Sequence, residues 1–190
     1  MTKIYFISHP EVVIDPAKPV PSWHLAERGI ERMRIFAGKP ELRSITSIWS
    51  STETKAREAG EILAGVLGTN LSTDGRFNEI DRSATGFLPA DQHEMVADRF
   101  FSAPEASIRG WERAIDVQQR IVQGFEAVKR LETSGDIAIV GHGGAGTLLL
   151  CSLAGLPISR QYDQPYQGHY WCYSCKERTV LHHWRPIAPR

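Results

Sequence analysis

The chain has 190 residues, 42% of them hydrophobic, and its 22 basic side chains balance 22 acidic ones. That length and apolar content suffice for one sizeable core, so a single domain over 1–190 is expected, and the neutral balance supplies no global field to hold nucleic acid or an anionic membrane. Three cysteines, an odd and low number, argue against a disulfide framework; with no leader-like start and no apolar run near the ~20 residues of a membrane span, a cytoplasmic setting is expected.

Residues Lys3 to Ser8, apolar and partly β-branched or aromatic, predict a buried strand. A Pro-rich loop follows through Pro21. Ser22 then has the position of an N-cap for a helix reaching Ala37, with Leu25, Ile30, Met33 and Phe36 on its apolar side. Ile45 to Trp49 predicts a second strand, and SSTE after it has capping-box spacing, with Ser50 as cap, Glu53 reaching back, and a helix from about Ser51 to Leu67. Leu71 to Thr73 predicts a short third strand. Asn78 to Gly110 has weak periodicity and predicts loops plus one helix near Gln92 to Phe101, a natural insert or lid over about 80–110. A long helix from Trp111 to Leu131, a strand from Asp136 to Val140, a Gly-rich turn and a helix from Ala145 to Leu153 come next. Tyr170 to Trp184 alternates as a hairpin turning near Lys176 to Arg178. Strands alternating with helices predict an α/β three-layer sandwich around a mostly parallel sheet, with any ligand held outside the carboxyl ends of its strands.

Two histidines close such strands, His9 in IYFISHP and His142 in IAIVGHGG. Both strings, together with LAERG at Leu25 to Gly29, SSTETKARE at Ser50 to Glu58, RFNEIDRSATG around Glu79 and RGWERAIDVQQRI around Glu112, resemble in order and spacing the signatures of the histidine phosphatase (phosphoglycerate mutase-like) superfamily. The resemblance implies a central, mostly parallel mixed sheet with helices on both faces. It also implies chemistry without metal or other cofactor, in which His9 takes a phosphoryl group as phosphohistidine, Glu79 gives and accepts the leaving-group proton, and His142 helps to hold the phosphate. A neutral imidazole nitrogen and a carboxyl group suit those tasks. Gly143 and Gly144 would add backbone donors at a helix N-terminus, a natural anion site.

Both arginines of the family pattern are missing, with Ser8 in place of one and Lys55 in place of the other, and Pro10 stands where the pattern has glycine. A guanidinium grips two phosphate oxygens, whereas lysine offers one compact charge and serine a neutral hydroxyl. At roughly 1.5 to 3 kcal/mol per charge-assisted contact, catalysis would weaken by a factor on the order of 10² to 10⁴. The thinner positive field would also let His9 gain a proton more easily, and Ser8→Arg would be expected to restore oxyanion affinity. Helix geometry at roughly 100° per residue puts Lys55 at the edge of the buried face and Arg57 nearly opposite, where Glu61 is its i,i+4 partner. Lys55 is therefore the expected phosphate ligand; Arg82 and Glu112 are candidates to touch the rest of the substrate. His24 and His93 are read as exposed.

The Cys172 to Cys175 spacing on a strand separates the two thiols onto opposite faces, which disfavours zinc. The expected protein is a hydrolase of a small phosphorylated metabolite; the segment between Glu79 and Trp111 is short for a mutase enclosure. Its partners would be that molecule or inorganic phosphate, with no nucleic acid or membrane, and a homodimer is compatible. The rival reading is a protein of the same fold that binds or senses a phosphate ligand without turnover.

Overall fold

The computed structural model describes residues 2–131 and 134–190. Six strands form one mixed sheet in the order β3-β2-β4-β1-β5-β6, made of β1 (Lys3–Ser8), β2 (Ile45–Ser50), β3 (Leu71–Thr73), β4 (Asp136–Gly141), β5 (His169–Ser174) and β6 (Thr179–Pro186). The first four run parallel, while β5 and β6 form the antiparallel hairpin that closes one side.

Strand alternation sorts the core into two halves. Ile4 and Phe6 of β1 face one side with Ile137, Ile139, Trp171 and Tyr173, where α4 (Ala114–Leu131), α5 (Gly143–Ala154) and α3 (Ala90–Ser102) pack. Tyr5 and Ile7 face the other with Ala138, Val140 and Cys172, covered by α1 (Glu27–Ala37) and α2 (Thr54–Leu67). The result is the expected three-layer α/β sandwich. Cys172 lies in one half and Cys175 against the other, as alternation on a strand requires. No helix among the described residues is long and apolar enough to cross a membrane.

Helices α3, α4 and α5 start two or three residues from the expected positions, at Ala90, Ala114 and Gly143, and the starts of α1 and α2 differ for reasons that their hydrogen bonds show. Ser22 ends a short 3-10 turn, and α1 begins only at Glu27, because the intervening strip stays extended to pair with the segment after His9 through Val13 N–H to His24 O and Ala26 N–H to Glu11 O, both 2.9 Å. Ser50 belongs to β2 and does not cap α2; Glu53 does, with an extended backbone. The cause is Asn78, whose Oδ1 accepts from Thr52 N and from the hydroxyls of Ser51 and Thr52, all at 2.9 Å, and holds the strip out of the helix. The predicted reach of Glu53 back to Ser50 is replaced by contacts that bear on the site below.

Beneath the sheet's carboxyl edge, Arg32 is fully buried and donates to Glu11 at 2.8 Å and to the carbonyls of Gln167, Gly168 and Ala188. It ties α1, the loop after His9 and the C-terminal segment together.

Candidate active site

β1 and β4 are adjacent and parallel, with Ser8 opposite Gly141, so the residues that follow them emerge side by side. His9 and His142 meet there with ring centroids 5.1 Å apart and planes at 71°. His9 is held by backbone bonds from its N–H to Gly141 O and from Gly168 N–H to its own carbonyl. Its Nδ1 lies 2.8 Å from the Pro10 carbonyl, which can only accept, so Nδ1 carries the proton and Nε2 keeps a lone pair. Burial first, then His142 and Lys55, push the His9 pKa well below its ordinary value. Desolvation of the imidazolium dominates, so His9 is neutral whatever the thinner positive field contributes.

The proton on His142 follows by the same accounting. Thr52 N–H fixes Asn78 Oδ1 as an acceptor, so the Ser51 hydroxyl must donate to it and is left to accept at 2.8 Å from His142 Nε2. Nε2 therefore carries the hydrogen, and the buried Nδ1 has no partner among the described residues. Burial, followed by Lys55, Arg82 and Arg120, lowers the His142 pKa well below its ordinary value. Both rings are neutral, and one presents a free lone pair of the kind that nucleophilic catalysis needs.

Glu79 approaches from the 75–79 turn and lays its carboxylate on the start of α5, accepting from Ala145 N at 2.9 Å and Gly144 N at 3.3 Å. This is possible because position 144 lacks a Cβ, which would come within 3.0 Å of Glu79 Oε1 and 2.7 Å of Ile80 Cδ1. The helix N-terminus expected to receive a phosphate is occupied here by a side chain. Gly143 is likewise covered: a Cβ there would meet Gln164 Nε2 at 2.3 Å.

Ser8 is fully buried, and its hydroxyl bonds Gln164 Oε1 at 2.5 Å and the backbone of His169. It points toward β5 and Gln164, and so fixes the amide that covers Gly143. Lys55, on the buried side of α2 as its angle requires, is 3% exposed and reaches Val20 O at 3.0 Å and Glu53 Oε2 at 2.5 Å. Arg57 pairs with Glu61 in solvent at 3.5 Å. The sequence reading missed Glu53 because it looked like a helix cap, and it missed Gln164 because 156 residues separate it from Ser8. The only available signal for Glu53 was an acidic residue inside an anion-binding segment.

A cavity of about 1150 Å³ opens beside Glu53 and Glu79, lined also by Pro19 to Ser22, Arg82, Trp111, Glu112 and Arg120; the two histidines lie behind Glu53 and Glu79 and do not line it. Arg82 lies 5.4 Å over the Trp111 ring and donates to His93 Nε2 at 2.6 Å. His93, expected in solvent, is half-buried for that reason. Glu112 accepts from Asp81 N and pairs with Arg120 at 2.8 Å, while Arg120 also holds the carbonyls of Arg76 and Asn78. That pair braces the turn carrying Glu79 and Arg82.

The sequence profile of the histidine phosphatase superfamily (branch 1) matches residues 7–184. The probable phosphoglycerate mutase GpmB of Yersinia pestis (strain Pestoides F) is 25% identical over 165 residues, spanning 83% of this chain and 77% of that protein. Bacillus stearothermophilus YhfR superposes with a TM-score of 0.80 at 24% identity over 96% of this chain and 95% of its own. Mycobacterial glucosyl-3-phosphoglycerate phosphatase, in its complex with inorganic phosphate, gives 0.73 at 18% identity over 97% and 95%. At these identities the solved structures establish a shared fold.

Proposed function

We propose that this chain, which belongs to the histidine phosphatase superfamily (branch 1), is a hydrolase of small phosphomonoesters that works through a phosphohistidine on His9. The observation that carries the proposal is the His9 ring, neutral, protonated on Nδ1 by its bond to Pro10 and set edge-on against His142. Attack by Nε2 on phosphorus forms the N–P bond as the ester P–O bond breaks, and the Glu79 carboxyl group is the proton donor to the departing oxygen. Water then attacks phosphorus, Glu79 takes its proton back, and inorganic phosphate leaves as the P–N bond breaks. The Pro10 carbonyl steadies the charge the ring gains on phosphorylation. Lys55 and His142 face the transferring group, Arg82 and the 80–110 segment close over the alcohol portion, and the whole chain works as one domain in the cytoplasm. The shortness of the segment between Glu79 and Trp111 supports hydrolysis over phosphoryl shuffling.

The test is phosphate release across a panel of phosphorylated metabolites, with alkaline-quench trapping of phosphoprotein. Wild type should release phosphate and carry acid-labile, base-stable label; His9→Ala should do neither while remaining folded. A second reading, ligand binding without turnover, is favoured by one observation: the Lys55 charge is already met by Glu53. Tight phosphate binding with no release on any substrate would select it.

A further inference from the structure

The Glu53 carboxylate sits where the donors of the proposed site converge. Its Oε2 is 2.5 Å from Lys55 Nζ; its Oε1 accepts from the Glu79 backbone N–H at 2.8 Å and lies 3.7 Å from His142 Nε2. Glu53 is 8% exposed and Lys55 3%, so water screens their attraction little. Two oxygens held by an ammonium and a backbone N–H, beside a neutral imidazole, is how a phosphate would be held.

We propose that Glu53 is a resident anion of this site: its carboxylate holds the place of a ligand oxyanion, and a phosphoryl compound binds by displacing it into the adjoining cavity. The inference rests on the proposed reading of Lys55 as the phosphate donor. Three features support displacement. Lysine presents one point charge, so it serves one anion at a time, whereas a guanidinium fork could serve two. With both histidines neutral and Lys55 matched by Glu53, the seat has no net positive charge to offer an incoming dianion. The Glu53 backbone is fixed, its N–H on Ser51 Oγ and its carbonyl accepting from Ala56 and Arg57, but its side chain already lines the cavity and has space to swing into. Glu53 thereby becomes a specificity device, ranking ligands by how well they replace a carboxylate on Lys55.

Isothermal titration of the full chain with orthovanadate and with inorganic phosphate tests the proposal, using wild type, Glu53→Gln, Glu53→Ala and the double variant Glu53→Gln with Lys55→Met. Removing one like charge at contact distance should tighten both oxyanions about tenfold or more in each Glu53 variant, and the double variant should lose that gain. Unchanged or weaker affinity in folded Glu53 variants overturns the proposal, as does a gain that survives loss of Lys55. Failure of both single variants to fold overturns it too, since a carboxylate that a ligand displaces cannot be one the fold requires. Phosphate release assayed in parallel separates the two ideas: tighter vanadate without turnover in any variant sinks the hydrolase and keeps the resident anion. Turnover by wild type with unaltered vanadate affinity does the reverse.

Discussion

His142 owes its tautomer to an amide oxygen it never touches. Asn78 Oδ1 takes the Ser51 proton, and Ser51 can then only accept from His142 Nε2. In Asn78→Ala the hydroxyl is released to donate, and the His142 proton should move to Nδ1. Imidazole nitrogen shifts by NMR report this directly, with Asn78→Asp keeping the wild-type pattern; an Nε2–H signature persisting in Asn78→Ala would break the chain of inference. Ser8 carries a second residue-scale expectation, revised by the structure. Position 8 is enclosed by Gln164 and His169, so Ser8→Arg alone should gain no oxyanion affinity and should lower the thermal midpoint. Overpacking costs about 1 to 3 kcal/mol. Only together with Gln164→Ala is there room for a guanidinium at Gly143, and a gain from the single variant would show that the amide yields.

Among the elements, α2 separates two cations by angle alone. Lys55 faces the β-sheet edge and the Pro-rich wall, and Arg57 pairs with Glu61 in solvent. Arg57→Ala should change stability by no more than about 0.5 kcal/mol and leave vanadate affinity unchanged, while Lys55→Met should weaken vanadate binding several-fold. The reverse outcome would mean that α2 is rotated from the register seen here. Helix α5 gives a parallel case, because Glu79 caps it. Glu79→Gln keeps the hydrogen-bond geometry and should abolish turnover at nearly wild-type stability, whereas Glu79→Ala should lose turnover and also about 1 kcal/mol of capping.

For the molecule as a whole, the buried histidines predict acid lability. His9 and His142 titrate in the fold well below the 6.5 of an ordinary histidine, chiefly because burial penalises the imidazolium. Below about pH 6.5 the unfolded chain binds protons that the fold refuses. Stability present above that pH is therefore lost as pH falls, by up to roughly 1.4 kcal/mol per pH unit for each ring. Asp163 opposes this over its own window: burial pushes its pKa from 3.8 up to about 6, so between those values the fold keeps a proton the unfolded chain gives up. His93, His169 and His182, also lowered chiefly by burial, add to the two rings, so the net is a loss. The thermal midpoint should fall from pH 7.5 to 5.5, and less steeply in His142→Gln; a flat profile in wild type would contradict the burial. Arg32 acts at the same scale. Arg32→Met leaves Glu11 and three carbonyls without their donor and should cost about 3 kcal/mol, seen as a lower denaturant midpoint.

Local pattern alone determined the elements that matter most. Apolar runs ended by histidine gave β1 and β4 and put His9 and His142 at strand ends, because side-chain period and strand length are local properties. The helical angle of Lys55 against Arg57 was legible for the same reason. The helix starts at Ser22 and Ser50 were misread because partners distant in sequence, Glu11 and Asn78, keep those strips extended. Distance also hid Gln164 on Ser8, 156 residues away; Glu53 and Lys55 are near neighbours in sequence, and only the fold shows that both are buried in one seat where they pair. Residue types could show that two arginines were gone; only the tertiary structure could show that a carboxylate meets Lys55 and an amide meets Ser8, since charge neutralisation in a buried seat depends on which side chains the fold brings within hydrogen-bond reach.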